Sequence, residues 1–592
     1  MYKQALQDLL SAGYLFRVEG NALHYDLDNP GEQDEDWTLQ RLNLIRQNKP
    51  QVCEILQGTA QPATVAADIE TTGLNPRKDT IRLIAIASET GSEVFEDPAQ
   101  IAALLADACT QKVFHNAAFD VGFLQAKGFV VNNYVDTMVT AQILDQNRGD
   151  HSLAGLAAKY LNLALDKTLQ SGSFWRSELT PAHREYCRKD AETTLQLFHK
   201  LAPLIERQNL NNVLRLEMGA LPCIARLQAD GVPFDARAWQ SDLTHWQKQK
   251  DAMAADIQSE LCSTLNLASP AQLQTCLQNR GIPLASTRDE ELAKWEATFP
   301  ILTKIRKWRE LHKIITSFGN ELVSKVESDG RIHPTFRLIG ATTGRMSCST
   351  PNIQQIPHIL RPYFRTRPGR VFVIADYSQI ELRVAAFLSG DETMLKAFLA
   401  EEDLHSKTAR MILQRDEITK AERQVAKTAN FGLIYGMSAW GLKNRVKTEF
   451  GLDLSLQEAE HFRHGFFKLY PGVRRWQEKQ LLRPLIKTLG GRCWNDLPKV
   501  PRSGWRNRLN YAVQGTAAEG LKESLPLLLE KLQPNWQLCA LVHDEVVLET
   551  PAEEAAAAST ILRNCLIRGM EQLIPGIPVK VDVSIYDSWK KD

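Results

Sequence analysis

Apolar runs that end in acidic residues recur along the chain. Val65-Ala-Ala-Asp68-Ile-Glu70 reads as a strand running into a Thr-Thr-Gly73 turn, and Ile81–Ala87 as a second strand. Val371–Ala375 is unbroken and apolar, the pattern of a buried strand, and delivers Asp376 at its end. Leu538–Val542 and Val546–Leu548 read as two short apolar strands with His543, Asp544 and Glu545 between them. Helical periodicity governs other stretches. Arg423, Lys427, Phe431 and Tyr435 follow one another at i, i+4 steps and fall on one slowly drifting stripe of a helix. Residues 206–335 read as largely helical, with alternating-charge stretches such as Trp239–Leu261. At the front, 3–11 reads as helix, Leu15–Val18 and Ala22–Tyr25 flank Glu-Gly-Asn like a hairpin, and 37–57 is helical again.

A chain of 592 residues holds several domains, each with its own core. Formal net charge is zero, yet residues 442–510 carry fifteen Lys/Arg against six Asp/Glu, while 26–36 is acidic. A local basic wall is what a phosphate backbone needs, so overall neutrality does not exclude nucleic acid. The ten cysteines are scattered without a Cys-x-x-Cys, which indicates neither zinc nor a disulfide framework. With no signal-peptide pattern and no apolar run that could span a bilayer, a soluble cytoplasmic protein without a membrane partner is expected.

Asp68 and Glu70, two apart on a strand, share a face and can hold one cation together. Asn116-Ala-Ala-Phe-Asp120 and Tyr186-Cys-Arg-Lys-Asp190 each place two polar groups at i, i+4 on a helix. Taken singly, each pair is better explained as polar residues facing solvent, with Asp68 and Glu70 evenly balanced between that and a site. Four carboxylates brought to one place would repel unless divalent cations neutralised them. In order and spacing the three segments resemble the motifs of the DEDDy group of 3′–5′ exonucleases over residues 62–205. The resemblance implies a ribonuclease-H-like sheet with helices around it. It implies that Asp68, Glu70, Asp120 and Asp190 bind two divalent metals (Mg2+, Mn2+ or Zn2+). Tyr186 would orient the attacking water for in-line phosphodiester hydrolysis.

Acids at the tip of a hairpin beside an apolar core need partners, although taken alone His543, Asp544 and Glu545 would pass as turn residues. With Asp376 upstream and a cationic stripe between them in sequence, they suggest a second two-metal site. Thr343-Gly-Arg345, Pro351-Asn-Ile-Gln-Gln-Ile-Pro357, the Asp376 and Arg423–Gly436 segments, Arg506-x-x-x-Asn510-x-x-x-Gln514 and His543-Asp-Glu together resemble family A DNA polymerases. The fold class expected is α/β and α+β multidomain. It comprises a small module over 1–60, an exonuclease domain over 61–205 and a right-hand polymerase domain over 206–592. Within the last, the thumb is expected over 206–335, the palm over 336–404 and 510–592, and the fingers over 405–509.

The resemblance implies that Asp376, Asp544 and Tyr377 hold two Mg2+ (or Mn2+). Arg423, Lys427, His405 and Gln379 would bind the dNTP, with Lys427 donating a proton to pyrophosphate. Phe431 and Tyr435 would stack near the nascent pair while Glu381 blocks a ribose 2′-hydroxyl. Arg345 and Gln514 would read minor-groove acceptors, which report pair geometry rather than sequence. Arg506, Asn510, His543 and Glu545 would contact primer-template DNA. The basic helix Lys304–Lys313 resembles a thumb helix that follows duplex phosphates without sequence preference. The implied protein is a monomer without a thioredoxin-capturing insertion. Only about sixty residues precede the exonuclease, where bacterial polymerase I carries a 5′-nuclease, which fits a phage, plasmid or mobile-element replicase. Those residues read as an adaptor for another replication protein. Three rivals are weaker. A nuclease with a DNA-holding, weakly active polymerase half is opposed by Asp376, Asp544 and Lys427. A single-subunit RNA polymerase is opposed by Glu381, and a non-catalytic scaffold by the completeness of both acidic sets.

Overall fold

A computed structural model describes residues 2–11, 14–19, 22–27, 38, 41–45, 63–146, 148–169, 174–500 and 502–590. The chain divides into two compact units, Met1–Leu214 and Arg215–Asp592. The division falls inside the Asn211–Asp230 helix, a little beyond the expected boundary at 205.

The first unit opens with a helix α1 (Tyr2–Ser11) and a hairpin of β1 (Tyr14–Glu19) with β2 (Ala22–Leu27), paired through Glu19 and Ala22 at the turn. This is the expected helix and hairpin. Of the helix expected over 37–57, Arg41–Ile45 is helical and most of the rest lies outside the described residues. A five-stranded sheet follows, built from β3 (Thr64–Thr71), β4 (Ile81–Ser88), β5 (Gly91–Phe95), β6 (Gln111–Phe114) and β7 (Tyr134–Asp136) in the order β5-β4-β3-β6-β7. β3 is central, antiparallel to β4 and parallel to β6. On β3 the side chains alternate: Ala67, Ile69 and Thr71 are buried, which turns Asp68 and Glu70 to the opposite face. The long Pro181–Arg207 helix packs over β3 and β4 on the face that carries the acids.

In the second unit, helices Ala236–Glu260 and Ile301–Phe318 close around an apolar cluster that includes Ile257, Leu273, Leu277, Leu302 and Trp308. A four-stranded antiparallel sheet carries the second acidic pair. Its central strand Arg370–Tyr377 lies between Glu545–Pro551 and Val581–Tyr586, and Gln537–Val542 completes the edge. Asp376 stands opposite Glu545 on one side and Asp582 on the other. The expected mixed architecture is therefore present, a mixed sheet in one unit and a helix-flanked antiparallel sheet in the other.

The helix Asn507–Leu529 carries Glu519 and Lys522, which join Glu217 and Arg492 from distant segments in a buried group of four charges, each at most 3% exposed. Lys522 Nζ donates to both oxygens of Glu217 at 2.8 Å and to the carbonyl of Gly344 at 2.7 Å. Arg492 pairs with the same Glu217. Burial pulls the Lys522 ammonium down to about 8, against the opposing charge of Glu217. Gly344 has φ +85° and its missing Cβ leaves room for the Arg492 guanidinium, so the turn that presents Arg345 rests directly on this cluster.

Candidate active sites

In the first unit the carboxylate oxygens of Asp68, Glu70 and Asp190 come within 4.8 Å of one another. Asp120 stands in the first turn of the Ala117–Ala126 helix and is buried. Its Oδ1 accepts from the backbone N–H of Ile69 at 3.2 Å, between the two acids of β3. Asn116 does not share a helical face with Asp120 as its spacing suggested: it precedes the helix, with φ 69° in the left-handed region. A residue the sequence reading passed over, Asp136, fixes this geometry. Its carboxylate accepts from the N–H groups of Asn116 and Ala117 at 3.0 and 2.8 Å, seating the start of the Asp120 helix.

Burial raises all four carboxyls. Glu70, desolvated by its neighbours and facing the charge of Asp190, is pushed up to about 9, and Asp120, chiefly by burial, to about 8. Tyr186, half-buried, projects from the same helix as Asp190, and burial with that carboxylate beside it holds its phenol well above the ordinary range. Lys167 also escaped the sequence reading. Its Nζ lies 2.6 Å from Asp190 Oδ2 and 3.3 Å from the Tyr186 hydroxyl. Nothing in its spacing marks it, because it reaches the acids from a segment without regular structure. Hard oxygen ligands this close, each reluctant to ionise alone, fit a divalent cation.

The second site is a cavity of about 500 Å³. Asp544 and Tyr377 line it beside the cationic pair Arg423 and Lys427, with Phe431, His405, Gln379, Glu381, Arg345 and His543 around them. The Lys420–Ile434 helix starts on a reciprocal cap, in which Glu422 N–H donates to Thr419 Oγ1 and Thr419 N–H to the Glu422 carboxylate. Arg423, Lys427 and Phe431 then come round to one face, and Tyr435 ends the helix. Asp376 sits at the end of its strand, with the next residue's N–H donating to the carbonyl of Asp544 at 3.3 Å. Asp376 at its strand end and Asp544 in the turn beside it are thus neighbours along the backbone, although Asp376 is not among the residues that line the cavity; carboxylates are ligands that suit a divalent cation. Tyr377 itself is buried and its hydroxyl donates to the Leu566 carbonyl at 2.7 Å, so its backbone carbonyl, not its phenol, is the group it can offer a metal.

Glu381 Oε1 accepts from Arg345 Nη2 at 2.5 Å, and its other oxygen accepts from the Tyr435 hydroxyl. Arg423 lies in a two-pronged pair with Asp403, at 2.8 and 3.1 Å. Asp403 also caps the helix of His405 through Ser406 N–H. His405 is buried, with its Nδ1 hydrogen-bonded to the side-chain amide of Asn430 at 3.0 Å. Arg506, exposed, donates to the Gly436 carbonyl at 2.9 Å, while Asn510 and Gln514 are partly exposed on the helix that follows it.

Two expectations need correction. Glu545 is 2% exposed and accepts from Trp589 Nε1 at 2.8 Å and Arg361 Nη1 at 3.4 Å. Its carboxylate is turned into the protein and holds the strand, rather than facing DNA. In the basic helix, Lys304 pairs with Asp256 and Glu260, Arg306 with Asp289 and Glu296, and Arg309 donates to the Thr287 carbonyl. Much of that helix's charge is spent inside its own unit, and Lys307 and Lys313 are the exposed cations on it.

The sequence profile of DNA polymerase family A matches residues 238–591, and that of a 3′–5′ exonuclease matches 46–206. DNA polymerase I of Aquifex aeolicus (strain VF5) is 30% identical over 565 residues, covering 89% of this chain and 95% of the relative. DNA polymerase I of Treponema pallidum (strain Nichols) is also 30% identical, over 540 residues, and the chain spans 53% of its length. Among solved structures, the POL domain of Pol1 from M. smegmatis, in complex with DNA primer-template and dNTP, superposes with a TM-score of 0.80 at 25% identity. The match covers 90% of this chain and 97% of that one.

Proposed function

We propose, from the premise that this chain belongs to DNA polymerase family A, how its residues divide the work of synthesis and proofreading. It is a DNA-directed DNA polymerase with a 3′–5′ exonuclease domain, and both kinds of domain depend on divalent metals. Arg423, Lys427 and His405 take the triphosphate, while Phe431 and Tyr435 cover base and sugar. Lys427 gives a proton to the leaving pyrophosphate. Glu381, fixed between Arg345 and Tyr435, closes the space a ribose 2′-hydroxyl would need. Arg345 and Gln514 read the minor groove of the primer-terminal pairs, and Arg506, Asn510 and His543 support the template side. Asp376, Asp544 and the Tyr377 carbonyl hold Mg2+ or Mn2+, which when bound stabilises charge on the attacking and leaving oxygens. Asp68, Glu70, Asp120 and Asp190 hold the exonuclease cations, and Tyr186 orients the water.

The observation that carries this reading is one cavity in which Asp544 faces the Arg423, Lys427 and Phe431 stripe. A cationic and aromatic stripe opposite a metal-binding acid matches a nucleoside triphosphate in charge and shape. The N-terminal helix and hairpin serve as an adaptor for a further replication protein. The test is a primer with a 3′-terminal mismatch, incubated with magnesium with and without dNTPs. Shortening without dNTPs and full-length product with them is the expected result. Shortening alone would overturn the polymerase assignment in favour of a nuclease that holds DNA.

A further inference from the structure

The exonuclease cluster gathers three carboxylates around one point, with Asp120 behind them. Among the described residues, the ammonium of Lys167 is the cation that reaches it. Lys167 Nζ lies 2.6 Å from Asp190 Oδ2, and 5.0 Å from the centre of the Tyr186 ring, whose hydroxyl it also meets at 3.3 Å. The oxygen it engages belongs to the carboxylate that closes the cluster with Asp68 and Glu70. A carboxylate oxygen that accepts a strong hydrogen bond from an ammonium is a weaker donor to a metal ion. The pair is not sealed away, since the Lys167 side chain is 22% exposed and that of Asp190 9%. A partly exposed ammonium on a flexible four-carbon stem can swing aside when a divalent cation takes its place.

We propose that Lys167 is the resident counter-ion of the exonuclease site and competes with a divalent cation for Asp190, setting the metal concentration at which proofreading switches on. The inference rests on reading Asp68, Glu70 and Asp190 as cation ligands. The competition has a clear physical sense. Four carboxyls, two of them buried and two partly buried, must fold together before any metal arrives, and an internal ammonium offsets part of their repulsion. The same ammonium then has to leave Asp190 when the metal comes, so it raises the concentration needed.

The test is Mn2+ binding to the full chain followed by electron paramagnetic resonance, with Asp376→Ala and Asp544→Ala in place so that the polymerase site does not titrate. In that background Lys167→Gln should bind Mn2+ about tenfold more tightly, as expected for removing one charge a few ångströms from the ligands. Lys167→Arg, which keeps the charge and the pairing, should bind like the unsubstituted site. Lys189→Gln removes an exposed lysine next to Asp190 in sequence and should change affinity by less than about twofold, because solvent screens it. With the polymerase acids restored, half-maximal exonuclease activity of Lys167→Gln should move to correspondingly lower metal. Circular dichroism confirms that each variant is folded. Unchanged or weaker Mn2+ binding in a folded Lys167→Gln would overturn the proposal. So would equal tightening by Lys189→Gln, since a general field rather than the contact would then be responsible. A different result, no saturable binding that Asp190→Asn abolishes, would remove the cation-site reading itself.

Discussion

Removing the Lys522 ammonium should destabilise the polymerase unit, and removing Glu217 as well should recover part of the loss. In the native protein Glu217 and Glu519 are balanced by Arg492 and Lys522, and none is more than 3% exposed. Lys522→Met leaves one uncompensated negative charge in this group and strips the Gly344 carbonyl of its donor. Breaking a buried pair from one side costs about 3–5 kcal/mol, and an orphaned buried carbonyl about 1–3 kcal/mol. Arg492 still meets Glu217, which moderates the first figure. The expected loss is therefore about 4 kcal/mol. Glu217→Gln leaves the opposite imbalance and should cost about 3 kcal/mol on the same reasoning. In the double variant Arg492 and Glu519, 3.9 Å apart, balance each other. The pair of substitutions should then cost at least about 2 kcal/mol less than the sum of the singles. Urea unfolding followed by tryptophan fluorescence reads this directly, because Trp494 donates to the Thr342 carbonyl in the same turn. Additive losses within about 0.5 kcal/mol would refute the view that these charges act as one balanced group.

Other outcomes follow from the two sites. Glu381→Ala should raise ribonucleotide incorporation about a hundredfold, the scale of a lost steric contact, while Glu381→Gln, which keeps the volume, should raise it far less. Single-turnover incorporation of rNTP against dNTP measures both, and equal selectivity in the alanine variant would remove the gate role. Asp376→Ala should abolish extension and spare digestion, and Asp68→Ala with Glu70→Ala should do the reverse, as one end-labelled primer gel would reveal. His405 is buried neutral and its imidazole is held down to about 4, burial being the main cause. Its contribution to stability is complete above the ordinary value near 6.5 and is lost as pH falls through 4, to a total of about 3 kcal/mol. Urea unfolding at pH 7 and pH 4.5 should record a smaller loss in His405→Asn than in the unsubstituted protein. Deleting residues 1–58 should leave primer extension on short templates in place.

The acids that matter most were legible because each ends a strongly apolar run. Asp376 after Val371–Ala375, and Asp68 and Glu70 beside Ile69, could hardly sit elsewhere than at the edge of a core. The i, i+4 stripe from Arg423 was equally plain. What stayed hidden depends on contacts between segments far apart in sequence. Lys167 meets Asp190 from an irregular stretch, and Asp403, two residues before His405 in the chain, grips Arg423 from twenty residues away. The charges of Glu217, Arg492, Glu519 and Lys522 look like ordinary helix and loop polarity until the fold buries them together. Glu545 misled for the converse reason: beside two polar residues at a turn it looked exposed, whereas its strand is buried on both faces and its carboxylate meets Trp589.

The sheet around Asp376 also has a bearing on how the chain matures. Its strand is flanked on both sides by strands made much later in synthesis, 545–551 and 581–586. On the ribosome, the fingers and the long Asn507–Leu529 helix emerge while Asp376 still lacks both neighbours. The exonuclease acids, by contrast, all lie within residues 68–190 and within the first unit. A nascent or prematurely stopped chain can thus complete its trimming site well before it can complete its synthetic one. A chain stopped before residue 545 would contain every acid of the first cluster and lack two of the four strands of the second sheet outright, with a third cut off from the partner it pairs with.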